Sequence, residues 1–197
     1  MSTSSPVVMQ AHLVQPEERW QGHLAPPRTL WFTGLPGAGK TTLAMQLEAR
    51  LVRAGRAAYT LDGDNLRHGL CAGLGFSDSD RAENIRRAAE VCRLFNEAGV
   101  MALCALVSPL AAQRTMAREI VGASRFLEIH VSTPLAVCES RDPKGLYRRA
   151  RQGLLNGLTG IDGRYEAPLD PQLRLDTSTG SVEDALRSIE ALLARQS

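Results

Sequence analysis

Apolar residues along the chain fall into short continuous runs, separated by stretches in which they recur at helical spacing. The runs have the length of β-strands, and the central run is apolar at almost every position, as in a parallel strand covered on both faces. They predict strands at Thr29–Thr33, Ala57–Leu61, Val100–Val107, Arg125–Val131 and Leu173–Leu175.

The stretches between the runs predict helices. In the first, Leu43, Leu47 and Leu51 recur every four residues, and Gly55 is suited to the helix end. Further helices are predicted at Asp80–Ala98, at 110–121, in a short segment after Pro134, and from a Ser181 cap to the C-terminus. Strands that alternate with helices predict an α/β fold, with a mainly parallel central sheet between two layers of helices.

Composition narrows the class of protein. The chain has 197 residues, 44% of them hydrophobic, and a formal net charge of +2, which fits one globular domain and gives no argument for nucleic-acid binding. The longest apolar run is too short to span a bilayer, and the N-terminus lacks the pattern of a signal peptide. The four cysteines are widely spaced, so we expect free thiols in a cytoplasmic protein that binds no membrane.

Residues 1–27 differ from the rest of the chain. They are polar, show no clear periodicity and end in two prolines. We expect a partly flexible N-terminal extension, followed by one domain over residues 28–197. Trp20 could anchor part of the extension on the domain, but the sequence favours a surface role for it.

A glycine-rich loop joins the first strand to the first helix. Its residues are Gly34, Leu35, Pro36, Gly37, Ala38, Gly39, Lys40, Thr41 and Thr42. This matches the P-loop pattern G-x-x-x-x-G-K-[ST], in which backbone N–H groups and the helix N-terminus surround phosphate oxygens. The loop predicts a P-loop NTPase-type fold that binds ATP, with Lys40 at the β- and γ-phosphates and the Thr41 hydroxyl on Mg²⁺.

Two acidic residues follow the second strand. Asp62 and Asp64 would lie at the carboxyl edge of the sheet, beside the P-loop, and could hold Mg²⁺ and accept a proton from an attacking hydroxyl. The long strand Val100–Val107 ends without an acid, so this pair is the nearest source of carboxylates. A surface turn at Asp62-Gly63 is the alternative interpretation.

A basic segment, 141–153, lies late in the chain. Turn residues interrupt its arginines around Lys144, which favours a hinged lid over about 141–165 that surrounds the transferred phosphoryl group with positive charge. A solvated helix face is the alternative. A second segment places Phe76 among glycines, followed by Arg81 and Asn84, and could stack a base and bind an anion. Core packing is the alternative for Phe76.

Several of these motifs together resemble the adenylylsulfate kinase family. The similarity is carried by the segments 62–67, 74–77, 80–87, 108–109, 138–147 and 159–162. The resemblance implies phosphorylation of the 3′-hydroxyl of adenosine 5′-phosphosulfate by ATP, with Mg²⁺, and leaves room for a homodimer.

The same resemblance assigns roles to individual residues. It implies that Lys40, Asp62, Asp64 and Ser108 are catalytic, and that Thr41 and Asp62 hold the metal. It implies substrate binding by Arg67, Phe76, Arg81, Asn84, Lys144 and Leu158, with Ser108 matching a phosphoserine position of the family.

One substrate position departs from the family pattern. Leu158 stands where an aromatic second wall for the adenine is usual, so the sequence leaves two alternatives open. One is a P-loop kinase for another nucleotide or small hydroxyl compound. The other is a non-catalytic, nucleotide-dependent partner of a sulfate-activating enzyme, against which the intact Lys40, Thr41 and acidic pair argue.

Overall fold

The computed structural model describes residues 10–21 and 26–195. Its sheet has five strands, all parallel, in the order β2-β3-β1-β4-β5. The strands are β1 Thr29–Thr33, β2 Ala58–Asp62, β3 Met101–Ala105, β4 Phe126–Val131 and β5 Leu173–Leu175. The predicted parallel α/β fold is confirmed.

Helices connect the strands and cover the sheet. They are α1 Pro16–Arg19, α2 Lys40–Arg53, α3 Gly63–Arg67, α4 Asp78–Glu97, α5 Ala111–Val121, α6 Leu135–Arg141, α7 Leu146–Arg151 and α8 Val182–Arg195. Within the described ranges none of them is long and apolar enough to cross a membrane.

The sheet has a separate apolar core on each face. Every residue of β1, β3 and β4 is buried, and successive side chains point to opposite faces. On one face Trp31 stacks on Phe126, with ring centroids 5.6 Å apart, under α4 and α5. On the other, Phe32 and Ile129 pack under α2 and α8. Burial on both faces explains why β3 is apolar at every position rather than alternating.

Several details differ from the sequence prediction, among them the helices α1 and α7, which were not predicted. The strand predicted at Val100–Val107 is shorter, because the chain leaves the sheet after Ala105. The long helix starts two residues earlier than predicted, since the Ser77 hydroxyl accepts a hydrogen bond from Asp80 N at 3.1 Å and caps it. The turn alternative at Asp62-Gly63 is wrong, because Asp62 is the N-cap of the short helix α3, which was not predicted.

Part of the predicted N-terminal extension packs against the domain. The indole Nε1 of Trp20 donates to Asn96 O at 2.9 Å, and the Arg125 guanidinium lies over the Trp20 ring at 4.6 Å. This contact caps the C-terminus of α4, so Trp20 anchors the segment. Residues 1–9 and 22–25 of the extension lie outside the described residues, and the prediction of flexibility there stays a prediction.

The parallel topology brings distant segments together at one edge of the sheet. The P-loop follows β1, Asp62 ends β2, and Ser108 follows β3. The carboxyl ends of parallel strands share an edge, so these segments converge where open α/β sheets bind ligands.

Candidate active site

A cleft of about 690 Å³ lies at this edge of the sheet. It brings together most of the predicted site residues. Those in its wall are Pro36, Gly37, Gly39, Lys40, Thr41, Thr42, Asp62, Asp64, Arg67, Phe76, Arg81, Asn84, Ser108, Lys144 and Leu158. The predicted nucleotide-binding residues Gly34, Leu35 and Ala38 are not in this wall, and Ala38 is fully buried.

The backbone of the P-loop requires glycine at two points. A Cβ on Gly34, whose φ is +150°, would collide with the carbonyl oxygen of Val131 in β4. A Cβ on Gly37, at φ +75°, would lie 3.0 Å from the carbonyl oxygen of Cys138 in α6. The loop is therefore packed directly against the backbone on both sides, which fixes the direction of its N–H groups.

Two threonines outside the P-loop hold its peptide groups. The hydroxyls of Thr133 and Thr177 both donate to Ala38 O, at 3.0 and 2.9 Å, and lie 2.8 Å from each other. The Arg141 guanidinium donates to Thr177 Oγ1 at 2.7 Å and to its carbonyl at 2.8 Å. The loop after β5 and the end of α6 are thereby tied to the phosphate-binding loop.

Lys40 is a buried cation, only 8% exposed. Its Nζ donates to the carbonyls of Gly34 at 2.9 Å and Leu35 at 2.8 Å, at the start of its own loop. Burial lowers the pKa of Lys40 to about 8, and the nearby carboxylates Asp62 and Asp64 oppose this only in part. A phosphate group bound at this point would pair with the Lys40 ammonium group, which is shielded from water.

The acidic pair divides into a buried and an exposed carboxylate. Asp62 is buried; it accepts a hydrogen bond from Thr41 Oγ1 at 2.7 Å and caps α3 by accepting from Asp64 N at 3.0 Å. Asp64 is exposed and forms an ion pair with Lys144. Asp62 thus joins the P-loop hydroxyl to α3, whereas Asp64 faces the lid across the cleft.

An exposed aromatic ring lies close to two guanidinium groups. Phe76 is 66% exposed, with Arg67 at 4.2 Å and Arg81 at 5.5 Å from its ring centroid. Arg67 also donates to the carbonyls of Leu74 and Gly75, at 3.1 and 2.8 Å. The core-packing alternative for Phe76 is therefore wrong, since most of the ring faces solvent in the cleft.

Two other predicted substrate residues are buried in the cleft wall. Asn84 Nδ2 has no hydrogen-bond partner among the described residues, and an unpaired buried amide is costly unless a ligand satisfies it. Leu158 packs within the apolar core and forms part of the wall beside Gly157, whose carbonyl accepts from Arg81 Nη2 at 3.1 Å. The loop around Leu158 thus belongs to the Arg81 and Phe76 side.

Ser108 is held rigidly in the cleft wall and is only 2% exposed. It is a non-glycine residue with φ +40°, a left-handed backbone conformation that residues with a side chain rarely adopt. Its Oγ accepts from Trp31 Nε1 at 3.1 Å, and its carbonyl accepts from Arg114 Nη1 at 2.8 Å. Neighbouring groups therefore fix both the hydroxyl and the backbone.

The basic segment begins against the P-loop rather than in solvent. The hydroxyl of the buried Tyr147 donates to Pro36 O at 2.8 Å. The Asp142 carboxylate caps α7 by accepting from the backbone N–H groups of Tyr147 and Arg148, at 3.1 and 3.0 Å. The basic side chains of the segment are all exposed, so the choice between a lid and a solvated face stays a prediction; they are Arg141, Lys144, Arg148, Arg149 and Arg151.

Sequence reasoning missed several residues of this site. Thr133 and Thr177 follow β4 and β5 directly, the same position that drew attention to Asp62 after β2, so the rule could have found them. Arg141 and Tyr147 lay inside recognised segments, but no pattern indicated that they contact the P-loop backbone or its neighbours.

The arrangement has the parts that phosphoryl transfer requires. A phosphate-binding loop with a buried lysine adjoins two carboxylates, and an exposed ring with two guanidinium groups lies beyond them. A donor bound at the loop and a hydroxyl acceptor bound at the ring would meet at the carboxylates.

Comparisons with known proteins identify the family. The family model described as adenylylsulphate kinase matches residues 26–176. The chain is 48% identical to an adenylyl-sulfate kinase of Marinobacter nauticus, over 96% of this chain and 95% of that protein. It is 55% identical to one of Escherichia coli O1:K1, over 86% of this chain and 85% of that protein.

A solved structure agrees with this result. The fold is similar to that of the APS kinase CysC of Mycobacterium tuberculosis, solved in complex with AMPPNP and APS, with a TM-score of 0.83. The two are 46% identical, and the match covers 86% of this chain and 98% of that one. With a family model that spans most of the chain and relatives of this identity, the chain belongs to the adenylylsulfate kinase family.

Proposed function

We propose that this chain transfers the γ-phosphoryl group of ATP to the 3′-hydroxyl of adenosine 5′-phosphosulfate, giving 3′-phosphoadenosine 5′-phosphosulfate and ADP. The observation that carries the proposal is the single cleft in which the P-loop, the acidic pair and the Phe76 side adjoin. The relatives named adenylyl-sulfate kinase support it, as does the M. tuberculosis complex with AMPPNP and APS.

The P-loop forms the donor half of the proposed site. The triphosphate would take the place of the Gly34 and Leu35 carbonyls as the partner of Lys40, whose ammonium then offsets charge on the γ-phosphoryl group. The N–H groups of the loop and the N-terminus of α2 would face the phosphate oxygens of the bound nucleotide.

The residues present fit a Mg²⁺ ion that the nucleotide helps to bind. No group of three or more acidic, histidine or cysteine side chains that could hold a metal occurs in the described part of the chain. Thr41 Oγ1 and Asp62 Oδ2, 2.7 Å apart, offer the hard oxygen ligands that Mg²⁺ takes together with phosphate and water. When bound, the ion would neutralise charge on the β- and γ-phosphates.

The acceptor half lies on the Phe76 side. We assign the adenine to the exposed face of Phe76 and the phosphosulfate group to Arg67, Arg81 and the unpaired amide of Asn84. Asp64 would accept the proton of the 3′-hydroxyl group. The hydroxyl oxygen would bond to the γ-phosphorus of ATP while the bond between that phosphorus and the ADP oxygen breaks. Lys144, now paired with Asp64, would turn toward the transferred group.

For Ser108 we propose a place in the wall and no phosphoserine intermediate. Its hydroxyl is buried and bonded to the indole of Trp31, whereas direct in-line transfer between two bound nucleotides needs no such step. A homodimer and a cytoplasmic location stay predictions. The four free, buried cysteines support a reducing compartment.

The proposed function is tested by turnover of ATP against a panel of acceptors. ADP should form only with adenosine 5′-phosphosulfate and Mg²⁺, and the product should carry its new phosphate at the 3′-position. Adenosine monophosphate, nucleosides and sugar acids serve as competing acceptors. Equal ATP turnover with and without adenylylsulfate would overturn the assignment, and preference for another acceptor would favour the alternative kinase.

The buried Lys40 makes nucleotide binding depend on pH. Its pKa of about 8 in the protein should rise when a triphosphate binds, so binding takes up a proton above pH 8 and affinity falls by up to about tenfold per pH unit. Calorimetry with AMPPNP at pH 8.5, in two buffers of different ionisation enthalpy, measures this uptake. The Lys40→Arg variant keeps its charge and should show none; uptake of the same size in that variant would assign the proton to another group.

The two carboxylates should be separable by substitution. Asp64→Asn removes the proposed proton acceptor, so kcat should fall about 10²- to 10⁴-fold while ATP affinity stays within a few-fold. Asp62→Asn weakens the metal ligand, so its loss of rate should be partly recovered at high Mg²⁺. Asp170→Asn, at an exposed position outside the cleft, is the control. Normal kcat in Asp64→Asn would contradict its role.

Replacement of Leu158 tests the second wall of the acceptor site. Leu158→Phe should restore a stacking surface and lower the KM for adenylylsulfate, since stacking on an aromatic side chain contributes about 1–3 kcal/mol per base. The KM for ATP should not change. Leu154→Phe, 68% exposed and outside the cleft wall, is the matched control. An unchanged acceptor KM in a variant of normal thermal stability would show that Leu158 does not limit binding.

A further inference from the structure

A buried arginine outside the cleft joins two of the cleft's walls. Arg114, in α5, is 5% exposed and is not in the cleft wall. Its Nη1 donates to Ser108 O at 2.8 Å, its Nη2 donates to Glu166 O at 2.7 Å, and its Nε lies 2.7 Å from the Glu128 carboxylate. We call these four residues the Arg114 clamp.

The first wall reached by the clamp is the turn after β3. This turn holds Ser108 at φ +40°, a conformation that costs free energy in a residue with a side chain and persists only where its surroundings fix it. The guanidinium on the Ser108 carbonyl, together with the indole of Trp31 on its hydroxyl, provides that fixation.

The second wall is the loop that carries Leu158. Asp162 accepts from the N–H groups of Gly157 and Leu158, at 2.7 and 2.8 Å, so residues 157–163 form one closed unit. Three residues beyond this unit, Glu166 N donates to Pro109 O at 2.8 Å, and Glu166 Oε2 accepts from Ala111 N at 2.8 Å. The clamp therefore holds the segment that leads out of the Leu158 loop, next to the Ser108 turn.

The Leu158 wall belongs to the half of the cleft that contains Phe76, and the Ser108 turn forms part of the wall of the same cleft. The Gly157 carbonyl accepts from Arg81, which also lies over the Phe76 ring.

The P-loop is held by Thr133, Thr177 and Tyr147, none of which contacts the clamp through a hydrogen bond in the described structure. The clamp does reach the residue before the loop, where Thr33 Oγ1 donates to Ser108 O at 3.4 Å, a longer bond than the 2.8 Å bond from Arg114.

We propose that Arg114 is a positioning residue for the phosphoryl acceptor: its planar guanidinium sets the distance between the Ser108 turn and the Leu158 loop. This inference rests on the proposed function, since it assigns the Phe76 side to the acceptor. Lysine could not replace arginine in this role. The planar guanidinium group reaches two carbonyls and a carboxylate at once, whereas a lysine ammonium group has no such rigid fork of donors.

The test compares two Arg→Lys substitutions in the same helix. Arg114→Lys keeps a positive charge beside Glu128 but loses the fork, so the KM for adenylylsulfate should rise about tenfold, the effect of one or two lost hydrogen bonds. The KM for ATP should stay within twofold. Arg118→Lys, one turn further along, loses a part-buried 3.1 Å bond to Gln172 and a guanidinium contact 5.0 Å from the Phe126 ring centroid. Neither partner lies in the cleft wall, so both KM values should match those of the unchanged protein.

A third variant separates positioning from stability. Glu128→Gln removes the charge partner of Arg114 but leaves both carbonyl bonds in place, so its melting temperature should fall while its acceptor KM stays near that of the unchanged protein. An acceptor KM raised as much in Glu128→Gln as in Arg114→Lys would overturn the proposal in favour of general destabilisation. Equal increases in both KM values of Arg114→Lys, or none, would overturn it as well.

A second measurement does not depend on turnover. Amide hydrogen exchange at residues 157–163 should become faster in Arg114→Lys and stay unchanged in Arg118→Lys. If the unchanged protein shows no turnover with adenylylsulfate, the proposed function fails, whereas this exchange result still reports whether the clamp holds the loop. Unchanged exchange in Arg114→Lys would refute the clamp itself.

Discussion

The burial of one ammonium group, that of Lys40, constrains much of this structure. A desolvated cation is stable only where acceptors surround it, and Lys40 finds them in the carbonyls of Gly34 and Leu35. Those carbonyls point inward only because the loop backbone passes close to Val131 and Cys138, where glycine alone fits. The sheet and α6 therefore determine the conformation of the phosphate-binding loop.

The other charged groups of the cleft are also paired within the protein. Lys144 pairs with Asp64, and Arg67 donates to two carbonyls while it lies on the Phe76 ring. A nucleotide that binds here must exchange these contacts for its own, so the net gain per contact is modest. The benefit of these contacts is pre-organisation, because each side chain already lies next to the place where it would act.

The P-loop could be predicted from its own residues, for a physical reason. The P-loop is a local motif, in which nine consecutive positions define the conformation and the chemistry, and β1 and α2 around it were predicted within a residue or two. The short helix α3 was missed because Asp62 reads equally well as a turn residue and as a helix cap. Tertiary contacts decided between the two.

Residues that act across long sequence separations could not be found from local patterns. Arg114 looks like any basic residue in an amphipathic helix, and only the fold shows that its guanidinium is buried between residues 108, 128 and 166. His130, in β4, has a buried ring whose Nδ1 has no hydrogen-bond partner in the described part of the chain. Such contacts depend on which strands are neighbours.

The two halves of the cleft should therefore tolerate change differently. The donor half is one continuous loop that is tied to the backbone on both sides, so a substitution there acts on phosphate binding and on the fold together. The acceptor half is assembled from segments far apart in the chain, joined by bonds such as Arg81 to Gly157 and Arg114 to Glu166. A change in one of these segments, as at Leu158, can alter acceptor binding without disturbing the P-loop, which makes this half the part of the molecule where specificity can vary.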